Sequence, residues 1–155
     1  MSKGSKPLKF QQDLAHQKSI RIAYDDFDLK SNHQPFEWSL EIADFGGRWG
    51  FNNKVFRNEW CNNILPKLLN FEKKSWAIIA NDSSGKSRGT RNHHVSINDL
   101  NKVAQKRLKK LQLDERNSLY SLRLDGKKRI WGIIHNHVLK LLWYDPLHHV
   151  CPSKK

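Results

Sequence analysis

Cationic side chains surround a predicted hairpin turn near the C-terminus of the sequence. Residues 122–132 read LRLDGKKRIWG, and Asp125-Gly126 is typical of the tight turn between two antiparallel strands. With a two-residue loop, Arg123 would lie opposite Lys128, and like charges in that position cost stability on a sheet face. A polyanion bound to the face would remove the cost. An ordinary solvated surface hairpin is the alternative.

Two histidine pairs, His93-His94 and His148-His149, could supply the proton transfer that a bound phosphate needs. Histidine titrates near neutral pH, and beside arginine it can move a proton while the cations neutralise a phosphate. RNA offers its own 2′-hydroxyl as nucleophile, so this chemistry needs no metal and no nucleophilic side chain. For each histidine, a surface position or a structural hydrogen bond is the alternative.

Other catalytic centres find little support in the sequence. Zinc could use the histidine pairs, but adjacent residues on a strand point to opposite faces, and the spacing lacks the two-plus-two pattern of structural zinc sites. No P-loop, GxGxxG turn, nucleophile elbow or HExxH helix occurs. Residues 86–155 contain only five acids, which disfavours a two-metal carboxylate centre. We therefore expect no metal and no cofactor.

The charge of the chain indicates an acidic partner. Its 155 residues carry 28 Lys+Arg against 15 Asp+Glu, a net charge of +13. Residues 86–155 hold 16 of those cations and five of the acids, a net of +11, so the basic character belongs to the second half. Nucleic acid is the first candidate partner for such a surface.

We expect a reduced, cytoplasmic protein without a membrane partner. The two cysteines, Cys61 and Cys151, form no CxxC pattern. No stretch approaches the roughly 18 apolar residues of a membrane span, and the N-terminus lacks the apolar core of a signal peptide.

Hydrophobic periodicity predicts one α+β domain over residues 34–155, after a polar extension over 1–33 that is either flexible or docked. One buried helical face is marked by Phe56, Trp60, Ile64, Leu68 and Phe71. A second helix, with Ser96 as its N-cap, is basic and amphipathic. Phosphate contacts are expected from the lysines of this helix: Lys102, Lys106, Lys109 and Lys110. A solvated helix face without such contacts is the alternative.

Three strand-like runs follow the basic helix: SLYSLRL, KKRIWGII and HVLKLLWY. The simplest topology is a three-stranded antiparallel meander that ends at Asp145-Pro146. We expect this small sheet to pack against two or three helices. Tyr144, near the end of the last run, could stack on a base, with core packing as its alternative.

The order of these C-terminal elements resembles the RelE/ParE superfamily of toxins from toxin–antitoxin systems. The basic helix is followed by SLYSLRLDGKKRIWG and then by HVLKLLWYDPLHHV, and the likeness covers roughly residues 93–151. In that superfamily two helices pack on a small antiparallel sheet, and arginines on successive strands line the active surface.

The resemblance implies catalytic roles for Arg123 and Arg129, the two sheet arginines, and for His148 or His149, the C-terminal histidine of the YoeB-like branch. It also implies that the protein is an endoribonuclease that cleaves messenger RNA, as the RelE and YoeB members do on the ribosome. An acidic antitoxin would inhibit it. The sequence departs from the family in its tryptophan-rich EWSLEIADFGGRWGF segment, and it shows no counterpart of the YoeB-branch glutamate.

Two non-catalytic functions stay open. The chain could be a nucleic-acid-binding or inhibitor protein, such as a ParE-like gyrase poison, or an accessory protein whose charge serves assembly on ribosomes. In each reading, the hairpin lysines and the first histidine pair are further candidates for contact with nucleic acid: Lys127, Lys128, His93 and His94.

Overall fold

The three C-terminal strand-like runs form the centre of a five-stranded sheet. The computed structural model describes residues 28–82 and 92–153. The strands are β1 (Glu37–Ser39), β2 (His93–Ser96), β3 (Ser118–Asp125), β4 (Lys128–His135) and β5 (Val138–Asp145), in the spatial order β1-β5-β4-β3-β2. β1 runs parallel to β5, and the other pairs are antiparallel. The predicted α+β class and C-terminal meander are confirmed.

Helices cover both faces of this sheet. On one side α1 (Lys54–Glu59) continues through a π-helical turn (Trp60–Ile64) into α2 (Leu65–Glu72), and α3 (Trp76–Asn81) follows. Pro66 lies in the first turn of α2, where proline is tolerated. On the other side lies α4 (Lys102–Lys110). In the described residues, no helix is long and apolar enough to cross a membrane.

The N-terminus of α4 differs from the predicted one. Ser96 caps only a short 3₁₀ turn, Ile97–Asp99, and Asn101 caps α4 by accepting a hydrogen bond from the Ala104 backbone N–H. The Asn101 side chain also donates to the backbone oxygen of His149. Asn101 therefore fixes the start of α4 against the chain that follows β5.

Two apolar cores lie on opposite faces of the sheet. One joins α1, α2 and α3 to the face that carries Leu122 and Ile130. The other joins Ala104 and Leu108 of α4 to the face that carries Trp131. Because alternate residues of a regular strand point to opposite faces, this division assigns the residues of the regular strand segments, outside the bulges, to one face each. We call the second face the α4 face.

The end of the predicted N-terminal extension packs on the domain. Leu29 is 7% exposed and belongs to the first core. The Ala77 backbone N–H donates to the Asn32 carbonyl at 2.7 Å, and the Asn81 side chain donates to the Lys30 carbonyl at 3.0 Å. Residues 28–33 are thus docked on α3, whereas residues 1–27 of the extension lie outside the described residues.

A glycine-rich loop over residues 44–50 is held to α4 by a partly buried ion pair. The Asp44 carboxylate accepts two hydrogen bonds from the Arg107 guanidinium, at 2.6 and 2.8 Å, and one from Trp143 Nε1 at 2.9 Å. Arg107 and these hydrogen bonds keep the pKa of Asp44 low, against the effect of its burial. A Cβ at Gly50 would lie 2.1 Å from the Gly46 carbonyl oxygen, so this tight loop requires glycine there.

Candidate functional site

Two arginines face each other across the β3–β4 hairpin. The expected pairing of Arg123 with Lys128 is wrong, because Arg123 pairs with Arg129 and Asp125 pairs with Lys128. The register shifts between Arg123 and Asp125, which leaves Leu124 as the extra residue of a β-bulge. The bulge brings the two arginines opposite each other.

Lys128, which precedes Arg129 in β4, points to the opposite face. Lys128 Nζ lies 2.9 Å from Glu59 Oε2 on α1, and this hydrogen bond lowers the pKa of the Glu59 carboxyl. Arg123 and Arg129 instead lie on the α4 face, since their neighbours Leu122 and Ile130 are buried in the other core. Lys128 is therefore separated from the arginines by the sheet.

Arg129 is flanked by Arg123 on one side and by Asp145 on the other. Asp145 of β5 is the register partner of Arg129. Nη1 of Arg129 donates to the carbonyl oxygens of Gly126 and Lys128, at 2.8 and 3.0 Å. These bonds fix the guanidinium at the hairpin end of the sheet.

The buried Asp145 carboxylate shapes the turn that carries the C-terminal histidines. It accepts hydrogen bonds from the backbone N–H groups of His149 at 2.9 Å and Val150 at 2.8 Å, and from Trp131 Nε1 at 3.3 Å. His148 adopts a left-handed backbone conformation, with φ of 61°, within this turn. The turn folds back over the α4 face, where Val150 is buried in the second core.

His148 lies within electrostatic reach of Arg129 and His93. Partial burial lowers the pKa of His148, the positive charge of Arg129 lowers it further, and His93 acts in the same direction, while Asp145 opposes them. His93 pairs with Ser121, two residues before Arg123, and so lies on the α4 face. We call Arg123, Arg129, His93 and His148 the arginine–histidine cluster.

The second member of each histidine pair points elsewhere. The His94 ring lies 5.1 Å from the Tyr120 ring on the opposite face, and its Nδ1 is 3.2 Å from Ser118 Oγ. His149 Nδ1 lies 3.2 Å from Nη2 of Arg48 in the glycine-rich loop. One member of each histidine pair, His93 and His148, therefore lies in the arginine–histidine cluster.

The predicted phosphate contacts lie around the cluster rather than in it. Lys127 is exposed in the hairpin turn. The lysines of the basic helix are exposed on α4: Lys102, Lys106, Lys109 and Lys110. Because α4 covers the same face as the cluster, its lysines add positive charge on that side of the sheet.

Tyr144 lies in the first core. It is 2% exposed, and its ring centroid is 6.0 Å from that of Phe56. Burial, followed by the negative charge of Glu59, raises the pKa of Tyr144 to about 12. In this position its ring offers no open face for stacking on a base. Tyr144 is a core residue, as the alternative interpretation held.

Sequence reasoning missed Asp145 and Arg48 as parts of the site. Asp145 was interpreted only as the end of a strand, and Arg48 lies 101 residues from the histidine that it contacts. Local spacing carries no signal for such a contact. In the described residues, no group of three or more histidines, cysteines or acids could hold a metal ion.

Comparison with known proteins gave no matching family model, no matching curated protein and no matching solved structure.

Proposed function

We propose that this chain is a metal-independent endoribonuclease of the RelE/YoeB kind, with its active centre at the arginine–histidine cluster. The electrostatic proximity of His148 to Arg129 and His93, on the face where Arg123 and Arg129 pair, carries the proposal. Its lowered pKa favours the neutral imidazole near pH 7, which is the form that accepts a proton.

The scissile phosphate would bind between Arg123 and Arg129. In an antiparallel ladder, opposite Cα atoms are about 4.5–5.5 Å apart, so two guanidinium groups on one face can reach the same phosphate. Arginine binds phosphate oxygens through paired N–H donors and does not lose its charge. The negative charge that develops on the phosphate in the transition state would be stabilised there.

The two histidines supply the proton transfers. His148 removes the proton of the RNA 2′-hydroxyl, whose oxygen attacks phosphorus while the bond from phosphorus to the 5′-oxygen breaks. His93 donates a proton to the leaving 5′-oxygen. The products are a 2′,3′-cyclic phosphate and a 5′-hydroxyl, and no metal or water enters the step.

The surrounding charge supports RNA as substrate and an acidic protein as regulator. The exposed lysines on α4 and Lys127 would hold the phosphate backbone without reading its sequence. We include messenger RNA on the ribosome, and an acidic antitoxin, in the proposal because a net charge of +13 favours both.

A second candidate is a non-catalytic nucleic-acid-binding or inhibitor protein, such as a gyrase poison. The hydrogen bonds from Arg129 to two carbonyl oxygens of the hairpin favour it, because they give this arginine a structural role. In this case the arginine–histidine cluster would contribute to binding of the nucleic acid or protein partner and would catalyse no reaction.

Substitution of His148 separates the two candidates, with His94 as the matched control on the opposite face. After brief expression, primer extension across messenger RNA should give discrete new 5′ ends with the natural chain and with His94→Ala. These ends should disappear with His148→Ala and with the double variant Arg123→Ala and Arg129→Ala. Growth arrest without new ends would support the inhibitor and overturn the nuclease.

A further inference from the structure

A pocket of about 190 Å³ lies beside the turn that carries His148 and His149. Its apolar lining comes from the glycine-rich loop, α1, the end of β5 and the turn: Trp49, Val55, Phe56, Tyr144, Pro146 and Leu147. Val55 and Leu147 at its rim are 47% and 58% exposed, so a ligand could bury apolar surface there. The volume is below the 300 Å³ or so of pockets for drug-sized ligands, and it suits a single ring system.

Arg48 and His149 are the polar side of this pocket. Arg48 lies 5.5 Å from the centroid of the Trp49 ring, and its Nη2 is 3.2 Å from His149 Nδ1. Because a guanidinium can only donate, Nδ1 of His149 accepts and its Nε2 carries the proton. Both residues therefore present donors.

Among the described residues that line the pocket, the carboxylate oxygens are already engaged in hydrogen bonds. Asp145 also lines the pocket, but its oxygens accept from Trp131 and from the backbone of His149 and Val150. A cationic ligand would meet the charge of Arg48. A flat ring with carbonyl oxygens matches the donors, and the apolar lining suits its hydrophobic part.

We propose that the pocket binds one nucleobase, through its carbonyl oxygens, next to the cleaved phosphate. This inference rests on the proposed nuclease function. The turn at residues 146–149 places His149 in the pocket and His148 within electrostatic reach of Arg129, so adjacent residues would contact adjacent parts of the substrate. The Arg48 plane is a surface on which a base can stack. Adenine is the base without a carbonyl oxygen, and it should bind weakest.

Titration with nucleoside 5′-monophosphates, followed by NMR of the Trp49 indole N–H and the His149 amide, tests this directly. GMP and UMP should shift both signals, and AMP should bind about tenfold more weakly. Arg48→Ala should abolish the shifts, whereas Arg57→Ala, which removes an exposed arginine of α1 outside the pocket, should preserve them.

Three results would overturn the proposal: no shift with any nucleotide, equal shifts with ribose 5-phosphate, which has no base, or binding of AMP as tight as that of GMP. An Arg48→Ala variant that no longer folds is recognised by its one-dimensional spectrum, and Arg48→Lys then replaces it, since lysine keeps the charge but loses the plane. RNA cleavage by the same samples reports separately on the nuclease. RNA cleavage without nucleotide-induced shifts would refute only the nucleobase pocket. Nucleotide-induced shifts without RNA cleavage would refute only the nuclease function.

Discussion

Arg123 and Arg129 lie directly opposite each other on the α4 face, because a bulge at Leu124 displaces the register of the hairpin by one residue. Like charges in this position oppose folding. On the other side the register partner of Arg129 is Asp145, whose carboxylate accepts three hydrogen bonds. The proposed anion site therefore carries a cost in stability.

Replacing Arg123 with glutamine should therefore weaken function without weakening the fold. The free energy of unfolding in urea should stay the same or rise by about 0.2–1 kcal/mol, because the repulsion with Arg129 disappears. RNA cleavage should fall at least tenfold. Lys67→Gln, at an exposed position of α2 on the opposite side of the sheet, is the control and should change neither quantity strongly. A loss of stability in Arg123→Gln would show that this arginine is structural.

The pH dependence should follow His148. Its pKa in the folded chain lies below the ordinary value of 6.5, since burial and Arg129 disfavour the charged form. The unfolded chain then binds more protons, so the stability linked to His148 is present above pH 6.5 and is lost as the pH falls through the lower folded value. Cleavage should fall over the same range as the base becomes protonated. NMR titration of the imidazole signals measures the pKa of His148. Arg129→Gln should raise this pKa, and an unchanged value would contradict the proximity of His148 to Arg129.

Asp145→Asn should loosen the turn after β5. Asparagine keeps one acceptor, but its amide N–H group would face a backbone N–H donor that the carboxylate now satisfies. We expect a loss of about 2–3 kcal/mol in the free energy of unfolding, together with reduced cleavage, because His148 is no longer held over Arg129. Asp125→Asn, at an exposed position, should cost less than about 0.5 kcal/mol. Equal effects of the two substitutions would refute the role of Asp145.

Salt dependence of RNA binding tests the lysines of α4. Each replacement of Lys102, Lys106, Lys109 or Lys110 by glutamine should reduce the slope of log K against log salt by about 0.7, the value for a contact with single-stranded nucleic acid. Fluorescence anisotropy with a labelled RNA measures the slope. Lys67→Gln on α2 is the matched control, since it removes an exposed lysine from the opposite side of the sheet. Equal slopes for all variants would place the RNA elsewhere.

The fold was largely predictable because its signals are local. The spacing of Phe56, Ile64 and Leu68 predicted the helical segment, and alternation with turn signals predicted the meander. The parallel pairing of β1 with β5 depends on residues about 100 positions apart, for which no local pattern exists. The start of α4 was misplaced because Ser96 and Asn101 are both good capping residues, and only the tertiary contact of Asn101 with His149 selects between them.

The site was predictable only in part, for a similar reason. Residue types singled out Arg123, Arg129 and His148, and the structure brings them together on one face. The bulge at Leu124 decided which residue faces Arg123, and a hairpin sequence does not reveal a bulge reliably. The division of each histidine pair between two environments follows from strand alternation and from the Asp145 turn, which depends on the whole fold.

The most direct measurement is cleavage of a labelled RNA by the purified protein in the presence of EDTA, with analysis of the ends produced. The account predicts fragments that carry a 2′,3′-cyclic phosphate and a 5′-hydroxyl. Their rate should fall at least a hundredfold in His148→Ala, as expected for loss of a general base, and should be unaffected in His94→Ala. Intact RNA with the natural protein, or cleavage that survives in His148→Ala, would contradict it.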